Sequence, residues 1–524
     1  MITKKLKIIR DLKFKYILYY KKMEESRVMP KSIDYSSVLP MSVPAVAKRR
    51  RFFPNNGPVF ANDGTSEIRI DIHSPNALLD PQHSYLEFEF ENQGLPGGAI
   101  TFGMDIGGGN VFFDSVRVEQ GGRVISETLE YNRLNAAVLA PLQDSFGART
   151  TQSITEGQLA LQGGGANSVV PSNQAAARGD NQAAVRHNAA NASPVGRRKI
   201  TCPIISGLFT QDKMIPLPLL KEPITLVLRL TQTHNLGAFS ASPVAVGSVR
   251  IVKANYVAQL VEVGGDVINQ FRMMRDMMGG QLAISGQDWV HTSGVIPAAS
   301  TGEQVVRVPT RKKSIKSLFW VANSSTFGTG SANNNIDEMY NLSFGGSCNC
   351  SEYQLKVGSV VYPPTPIQCF GNTAGATCEN ERGECAQELA KAIGSLAITN
   401  NSGHGINAIT YAAVGNTTAA AARLAAGGNV GLSNGDNGDG AGADFAPLSA
   451  QPCSVCPFGI DLDAFQATAI EAGVDNETMA EEMNLIITIA NGVNSGAEDK
   501  TIHTWCCYDK HYYFNADGSL TFSD

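Results

Sequence analysis

Hydrophobic and polar residues alternate strictly along Tyr85-Leu86-Glu87-Phe88-Glu89-Phe90. Leu86, Phe88 and Phe90 share one face of an extended segment, and Tyr85, Glu87 and Glu89 the other, the period of two expected of a half-buried antiparallel strand. Val116 and Val118 repeat the pattern against Ser115, Arg117 and Glu119, and Gln120-Gly121-Gly122 supplies a turn. Upstream, Ile68, Ile70 and Ile72 alternate with Glu67, Arg69 and Asp71 until Ser74-Pro75-Asn76 breaks the run. Further strands are predicted at Leu226-x-Leu228-x-Leu230, across Ser248 to Val252, and from Tyr256 to Val263. A connector from Val267 to Met278 reads as helical. A second series begins at Val306 and Val308 and continues through Ile315 to Val321 and Tyr353 to Gly358. It resumes at Leu485, Ile487 and Ile489 and ends with Thr504 to Tyr513.

Two stretches break this texture. Residues 148–200 and 395–450 are rich in Gly, Ala, Asn and Ser and poor in core-forming side chains, so each reads as a long excursion from a scaffold. Each half of the chain is therefore strands, a polar excursion, then strands. Many short strands with almost no long amphipathic helix predict sandwiches or barrels. Among these, the jelly roll accommodates long loops at one end, because its eight strands make the core without them. The expected division is an arm over residues 1–51, a first roll over 52–265 and a second over 266–524. The fold class is all-β, with two consecutive eight-stranded antiparallel jelly rolls.

At 524 residues the chain is too long for one ordinary core. Its charged fraction of 17% lies below the roughly 25% typical of soluble domains, and its 52 glycines suit a turn-rich β protein with much surface committed to neighbours. A net charge of −6 argues against a nucleic-acid binder overall. The basic residues are uneven, however: residues 1–22 carry eight lysines and arginines against Asp11 alone. Lys4, Lys5, Lys7 and Arg10 there, with Lys48, Arg49, Arg50 and Arg51, make the arm a candidate contact for nucleic acid or an acidic membrane. Ile2, Leu6, Ile9, Tyr16 and Tyr20 give it an imperfect apolar stripe; a solvated tail, or a true start at Met23, is the alternative. No apolar run is long enough to span a bilayer, and lysines interrupt the N-terminal apolar residues where a secretory signal would be continuous. A protein made and used inside a cell is expected, its ten cysteines thiols by default.

The segment Phe113 to Leu134, FDSVRVEQGGRVISETLEYNRL, resembles the first-domain signature of double jelly-roll major capsid proteins, particularly those of Polinton-like viruses, adintoviruses and virophages. Pro54-Asn55-Asn56-Gly57, Ser84-Tyr85-Leu86, Ser206 to Leu217, Ser314 to Phe319, Tyr353 to Ser359 with Tyr362-Pro363, and Glu471 to Asp475 resemble further blocks in the same order. The extended N-terminus and the cysteine-bearing part of the second half depart from the pattern. The resemblance implies a homotrimer whose six rolls form a pseudo-hexagonal capsomer with loops towering outward. It also implies an icosahedral shell around double-stranded DNA, with neighbouring capsomers, penton and minor capsid proteins as partners, located in the virion. The arm would then lie on the inner face. A receptor- or carbohydrate-binding β-sandwich is the alternative reading, and would call for aromatic clusters in the excursions.

Chemistry-bearing motifs are sparse, and neither an enzyme nor a cofactor is expected. Cys348-x-Cys350 and Cys453-x-x-Cys456 could together offer zinc four thiolates, although about a hundred residues separate the pairs. Cys369, Cys378 and Cys385 between them leave a disulfide-clipped excursion open, as well as unlinked thiols filling a β-rich core. Cys506-Cys507 would point to opposite faces of a strand. The histidines form no HExxH pair, there is no GxSxG elbow, and Gly107-Gly108-Gly109 lacks the Lys-Ser/Thr of a phosphate loop and reads as a flexible connection. Arg178-Gly179-Asp180 spells an integrin-type tripeptide, a weak signal unless its loop is displayed on a surface. Sequons such as those at Asn191 and Asn416 would not ordinarily be glycosylated in a protein assembled inside a cell.

Overall fold

The computed structural model describes residues 45–61, 64–92, 101–104, 108–140, 155–156, 184–186, 196–231, 238–240, 249–298, 300–324, 350–369, 382–394, 457–463, 473–477, 481–489 and 499–524. Twelve strands precede the connector: β1 (Ala45–Phe52), β2 (Val59–Phe60), β3 (Glu67–Ile72), β4 (Ala77–Asn92), β5 (Thr101–Met104), β6 (Phe113–Gln120), β7 (Arg123–Leu129), β8 (Ala184–Arg186), β9 (Gly196–Cys202), β10 (Ile224–Leu230), β11 (Ala238–Ser240) and β12 (Val249–Val263). After helix α1 (Gly265–Met277) come β13 (Gln281–Ile296), β14 (Gly302–Val308), β15 (Ile315–Ser324), β16 (Cys350–Val357), β17 (Val360–Gln368), helix α2 (Arg382–Gly394), β18 (Phe458–Asp461), β19 (Met483–Ile489), β20 (Lys500–Asn515) and β21 (Leu520–Ser523).

The first half pairs as β1-β12-β4-β9, with β2 also on β12, and as β3-β10-β6-β7. The second half pairs as β13-β20-β15-β18, with β21 on β20, and as β14-β19-β16-β17. When β1 and β2 count as one position and β5, β8, β11 and β21 are set aside, both halves have the strand order 1-8-3-6 facing 2-7-4-5. That order is two interlocked Greek keys, the jelly roll.

In the first roll Leu86, Phe88 and Phe90 do enter the core. Phe88 meets Phe113 edge-on at 5.7 Å, and Phe90 stacks on Phe112 at 4.8 Å. The two segments expected at 248–252 and 256–263 are one strand, β12, whose register shifts between Val252 and Asn255. The turn after β6 has φ 57° at Gly121 and 80° at Gly122, the two left-handed positions that favour glycine in a tight hairpin. The glycines ahead of β6 do not form a flexible connection as expected: Gly108–Phe112 is a buried 3-10 turn packed under Ile200 and Phe88.

β5, β8 and β11 form a small separate sheet in the order β11-β5-β8. They lie in the connections after the third, fifth and seventh strands of the roll. Antiparallel alternation brings those three connections out at the same end, so this sheet crowns one pole. The opposite pole carries the tight turns and α1. The excursion at 148–200 thus supplies one strand, Ala184–Arg186, of a three-loop structure, and the excursion at 395–450 lies outside the described residues. The arm expected over residues 1–51 ends inside a sheet, because β1 begins at Ala45.

The second series of strands starts earlier than expected, at Gln281. The sequence QLAISGQDWVHTSGVI hides this strand because its burial does not alternate: Ile284, Asp288, Trp289 and Ile296 are buried, and the other polar residues range from half-buried to exposed. β13 pairs with β20 along sixteen residues, and β7 of the first roll packs against it. Buried apolar residues of both rolls belong to one continuous core.

The rolls approach closely where Gly207 meets Gly286. A Cβ on Gly286 would stand 2.1 Å from the Gly207 carbonyl oxygen, and one on Gly207 would stand 2.2 Å from the Tyr512 hydroxyl. Gly286→Ala is therefore expected to destabilise the protein by about 1–3 kcal/mol, as overpacking does. Gly64→Ala, with open space around the new methyl, should stay within about 0.5 kcal/mol. Urea unfolding of the two variants in parallel checks the difference.

Candidate functional site

Two constellations of charge stand out. The first is built on β1, whose Lys48-Arg49-Arg50-Arg51 run lies along the outer edge of a sheet. A strand sends alternate side chains to one side, so Arg49 and Arg51 both reach Glu87 on β4. Arg51 lies 3.2 Å and Arg49 3.9 Å from its carboxylate, Lys199 of β9 donates at 3.0 Å, and Asn255 of β12 donates at 3.4 Å. Burial pushes the Glu87 carboxyl up, but the Lys199 and Asn255 hydrogen bonds and the Lys199 and Arg51 charges outweigh it and hold it below the usual carboxylate range. Lys48 pairs with Glu262 at 2.5 Å, Arg49 donates to the Tyr85 hydroxyl at 2.6 Å, and Arg50 lies over the Phe52 ring at 4.9 Å. Beside this cluster opens a cleft of about 690 Å³ bounded by Arg51, Phe53, Pro58, Lys199 and Lys253. Its chemistry is charge pairing that zips β1 onto the roll. Lys4, Lys5, Lys7 and Arg10 lie outside the described residues.

The second constellation joins the rolls. Asp288 of β13 is fully buried; its carboxylate accepts from Ser126 of β7 at 2.8 Å and from Lys510 of β20 at 3.1 Å. Ser126 also meets Ser206 at 3.0 Å, and the Lys510 ammonium lies 4.3 Å from the Phe522 ring centroid. Gln120, at the end of β6, donates to Gly518 and accepts from the Leu520 amide. Nearby, Arg133 contacts His503 Nε2, while His503 Nδ1 lies 3.0 Å from His291 Nε2. An imidazole nitrogen that accepts from arginine leaves the other to donate, so His503 gives its Nδ1 proton to His291. Burial, and then the Arg133 charge, lower both histidines, His291 to about 4 and His503 further below its usual value. None of these joint residues was expected from sequence. The available signal was Asp288 and Lys510, charges set among aromatic and β-branched neighbours in strand-like stretches.

The cysteine expectations are only partly reached. Cys350 is buried with its sulfur 3.8 Å from that of Cys369, which also contacts Cys385. Cys348, Cys453 and Cys456 lie outside the described residues, as do Arg178-Gly179-Asp180, Asn191 and Asn416. Among the described residues no three His, Cys, Asp or Glu side chains are grouped to hold a metal ion. Cys506 and Cys507 are both buried within β20.

No protein-family model matches the chain, and no curated protein matches it in sequence. Solved structures do match its fold. PBCV-1 VP54, fitted into a reconstruction of the virophage Sputnik, superposes with a TM-score of 0.54 at 10% identity, covering 94% of this chain and 99% of its own. A chain of the Sputnik virophage structure gives 0.54 at 10% identity, with 95% and 92% covered. The Faustovirus major capsid protein gives 0.52 at 9% identity, with 93% of each chain covered. The fold is that of double jelly-roll major capsid proteins. Coverage on both sides means that the likeness takes in both rolls of this double jelly-roll chain and the joint between them.

That joint yields two expectations. Asp288→Ala strands a buried ammonium and should cost about 3–5 kcal/mol, whereas adding Lys510→Met to Asp288→Leu should restore most of the loss. Urea midpoints of the single and double variants check this. The histidines set a pH dependence. In the unfolded chain they protonate near the ordinary value of 6.5, but in the folded protein His291 resists to about 4. Stability should therefore be level above about pH 6.5 and fall as the pH drops toward 4, by about 3 kcal/mol for His291 alone. Urea titrations across that range check it, and His291→Gln with His503→Gln should flatten the profile.

Proposed function

We propose that this chain is the major capsid protein of a double-stranded DNA virus or a virus-derived element, and that its activity is self-association rather than catalysis. The observation that carries this reading is the duplication: two rolls of identical strand order, fixed to each other by a buried joint. Three such chains present six rolls, enough for a pseudo-hexagonal capsomer, and the closed three-fold ring uses one heterologous contact repeated. Capsomers would tile an icosahedral shell with penton and minor capsid proteins, assembled inside the host cell, with the three-loop pole outward. The likeness to the Faustovirus major capsid protein supports the same reading at the level of fold.

The arm's role fits this scheme. With Lys48, Arg49 and Arg51 engaged by carboxylates of the roll, contact with packaged DNA or a membrane falls to Lys4, Lys5, Lys7 and Arg10 on the inner face. A sugar-binding sandwich finds less support. All three tryptophans are buried, and among the described residues Phe53 is the one aromatic ring among the exposed large apolar side chains.

Light scattering after gel filtration, with negative-stain microscopy of the same fractions, tests the proposal. A trimer of three times 55.8 kDa that forms hexagonal particles or arrays is the expected result. A stable monomer at micromolar concentration would overturn it. The same preparation lacking residues 1–22 should assemble with less nucleic acid or lipid retained; unchanged retention removes the arm's role.

A further inference from the structure

Lys316 stands on β15 where the pairing with β20 slips register between Ile315 and Ser317, a bulge that re-aims the side chain. Its ammonium lies 3.1 Å from Asp463 Oδ2, just beyond β18, and 3.5 Å from Asp509 Oδ2 on β20. The Lys316 side chain is 3% exposed, that of Asp463 is 0% and that of Asp509 is 15%. Ser314 donates to Asp509 at 2.7 Å, and the Leu462 amide donates to the Lys316 carbonyl at 2.8 Å, fixing both partners beside the lysine. One buried amine thus faces two carboxyl groups, the fully buried Asp463 just beyond β18 and the mostly buried Asp509 on β20. An ion pair needs one carboxylate; the second has no charge to balance and is best accommodated as a neutral acid. Burial holds Asp509 above the usual carboxylate range despite Ser314 and Lys316.

We propose that Lys316 and Asp463 condense spontaneously into an isopeptide bond, with Asp509 as the proton-transfer residue. The Lys316 ammonium first passes a proton to the Asp463 carboxylate, giving an amine against a carboxylic acid. The Nζ lone pair adds to Asp463 Cγ, forming the C–N bond and moving the carbonyl π pair onto oxygen. Asp509 accepts the surplus proton from nitrogen at one oxygen and delivers its own to the departing hydroxyl from the other. The C–O bond breaks, water leaves, and one ammonium and one carboxylate have become one neutral amide and one water. Nothing is oxidised or reduced. Fixed neighbours supply the high effective concentration that amide formation requires, and exclusion of solvent disfavours the reverse hydrolysis.

The joint holds an internal comparison. Lys510 and Asp288 are equally close at 3.1 Å and similarly buried, but the Ser126 hydroxyl and the Trp289 amide donate to Asp288 and aromatic rings lie beside Lys510. With no second carboxylate in an ion pair with Lys510 among the described residues, that pair should remain an ion pair. The bond at Lys316 would tie β15 to the segment after β18, where the chain returns from the second excursion. It would lock the second roll independently of how copies associate.

Denaturing intact-mass measurement of the purified full-length chain tests this. The expected mass is short of the sequence mass by one water, with a branched peptide joining Lys316 to Asp463 after digestion. Lys316→Arg and Asp463→Ala should each restore the full mass, and Asp509→Asn should leave the two residues unlinked or slow their linkage at least tenfold during refolding. A wild-type chain at full mass, or one whose water loss maps elsewhere, overturns the proposal without reference to any variant. Condensation in Asp509→Asn at the wild-type rate overturns the role given to Asp509.

Discussion

Strand β20 has no solvent face through its middle. Ile502 to Tyr508 are buried without interruption, with β13 on one side, β15 on the other and the first roll against the sheet. A polar side chain on such a strand cannot reach water, so each must find a partner or give up its charge. Lys510 finds Asp288, Asp509 shares Lys316 with Asp463, and His503 remains neutral beside Arg133. The joint between the rolls and the lysine cluster of the second roll are both solutions to this one problem.

The same constraint explains how much could be read from the sequence. The first roll was legible because β3, β4 and β6 have one buried and one polar face, so their alternation survives in the residues. Leu86, Phe88 and Phe90 sit where that pattern put them. β13 was not legible. Its burial does not alternate, with Asp288 buried while Gln281, Ser285 and Ser293 are exposed, and Asp288 and His291 look like loop residues until Lys510 and His503 come beside them. The basic run at 48–51 was visible as charge, but its anchor Glu87 lies 36 residues away from Arg51 and only the sheet brings them together. The double-roll assignment rested on a resemblance spread over several blocks. Strand periodicity alone would have reached a sandwich or barrel and stopped.

The pole crowned by β5, β8 and β11 illustrates a division of labour within a roll. Connections at that end can lengthen without disturbing the strand order, because the eight strands close their core between themselves. At the other end the Gly121-Gly122 turn and the contacts of Gln120 with Gly518 and Leu520 leave no such freedom. Sequence drift and sequence constraint are thereby sent to opposite ends of the same domain.

β1 has a consequence beyond closing the first roll. An outermost strand offers unpaired backbone amides and carbonyls to any passing strand, including the same edge of another copy. Here that edge carries Lys48, Arg49, Arg50 and Arg51, of which Lys48, Arg49 and Arg51 pair with Glu262 and Glu87 of the same roll. Charged side chains along an edge oppose such pairing, so the run that zips β1 onto its own roll also guards the edge that β1 creates.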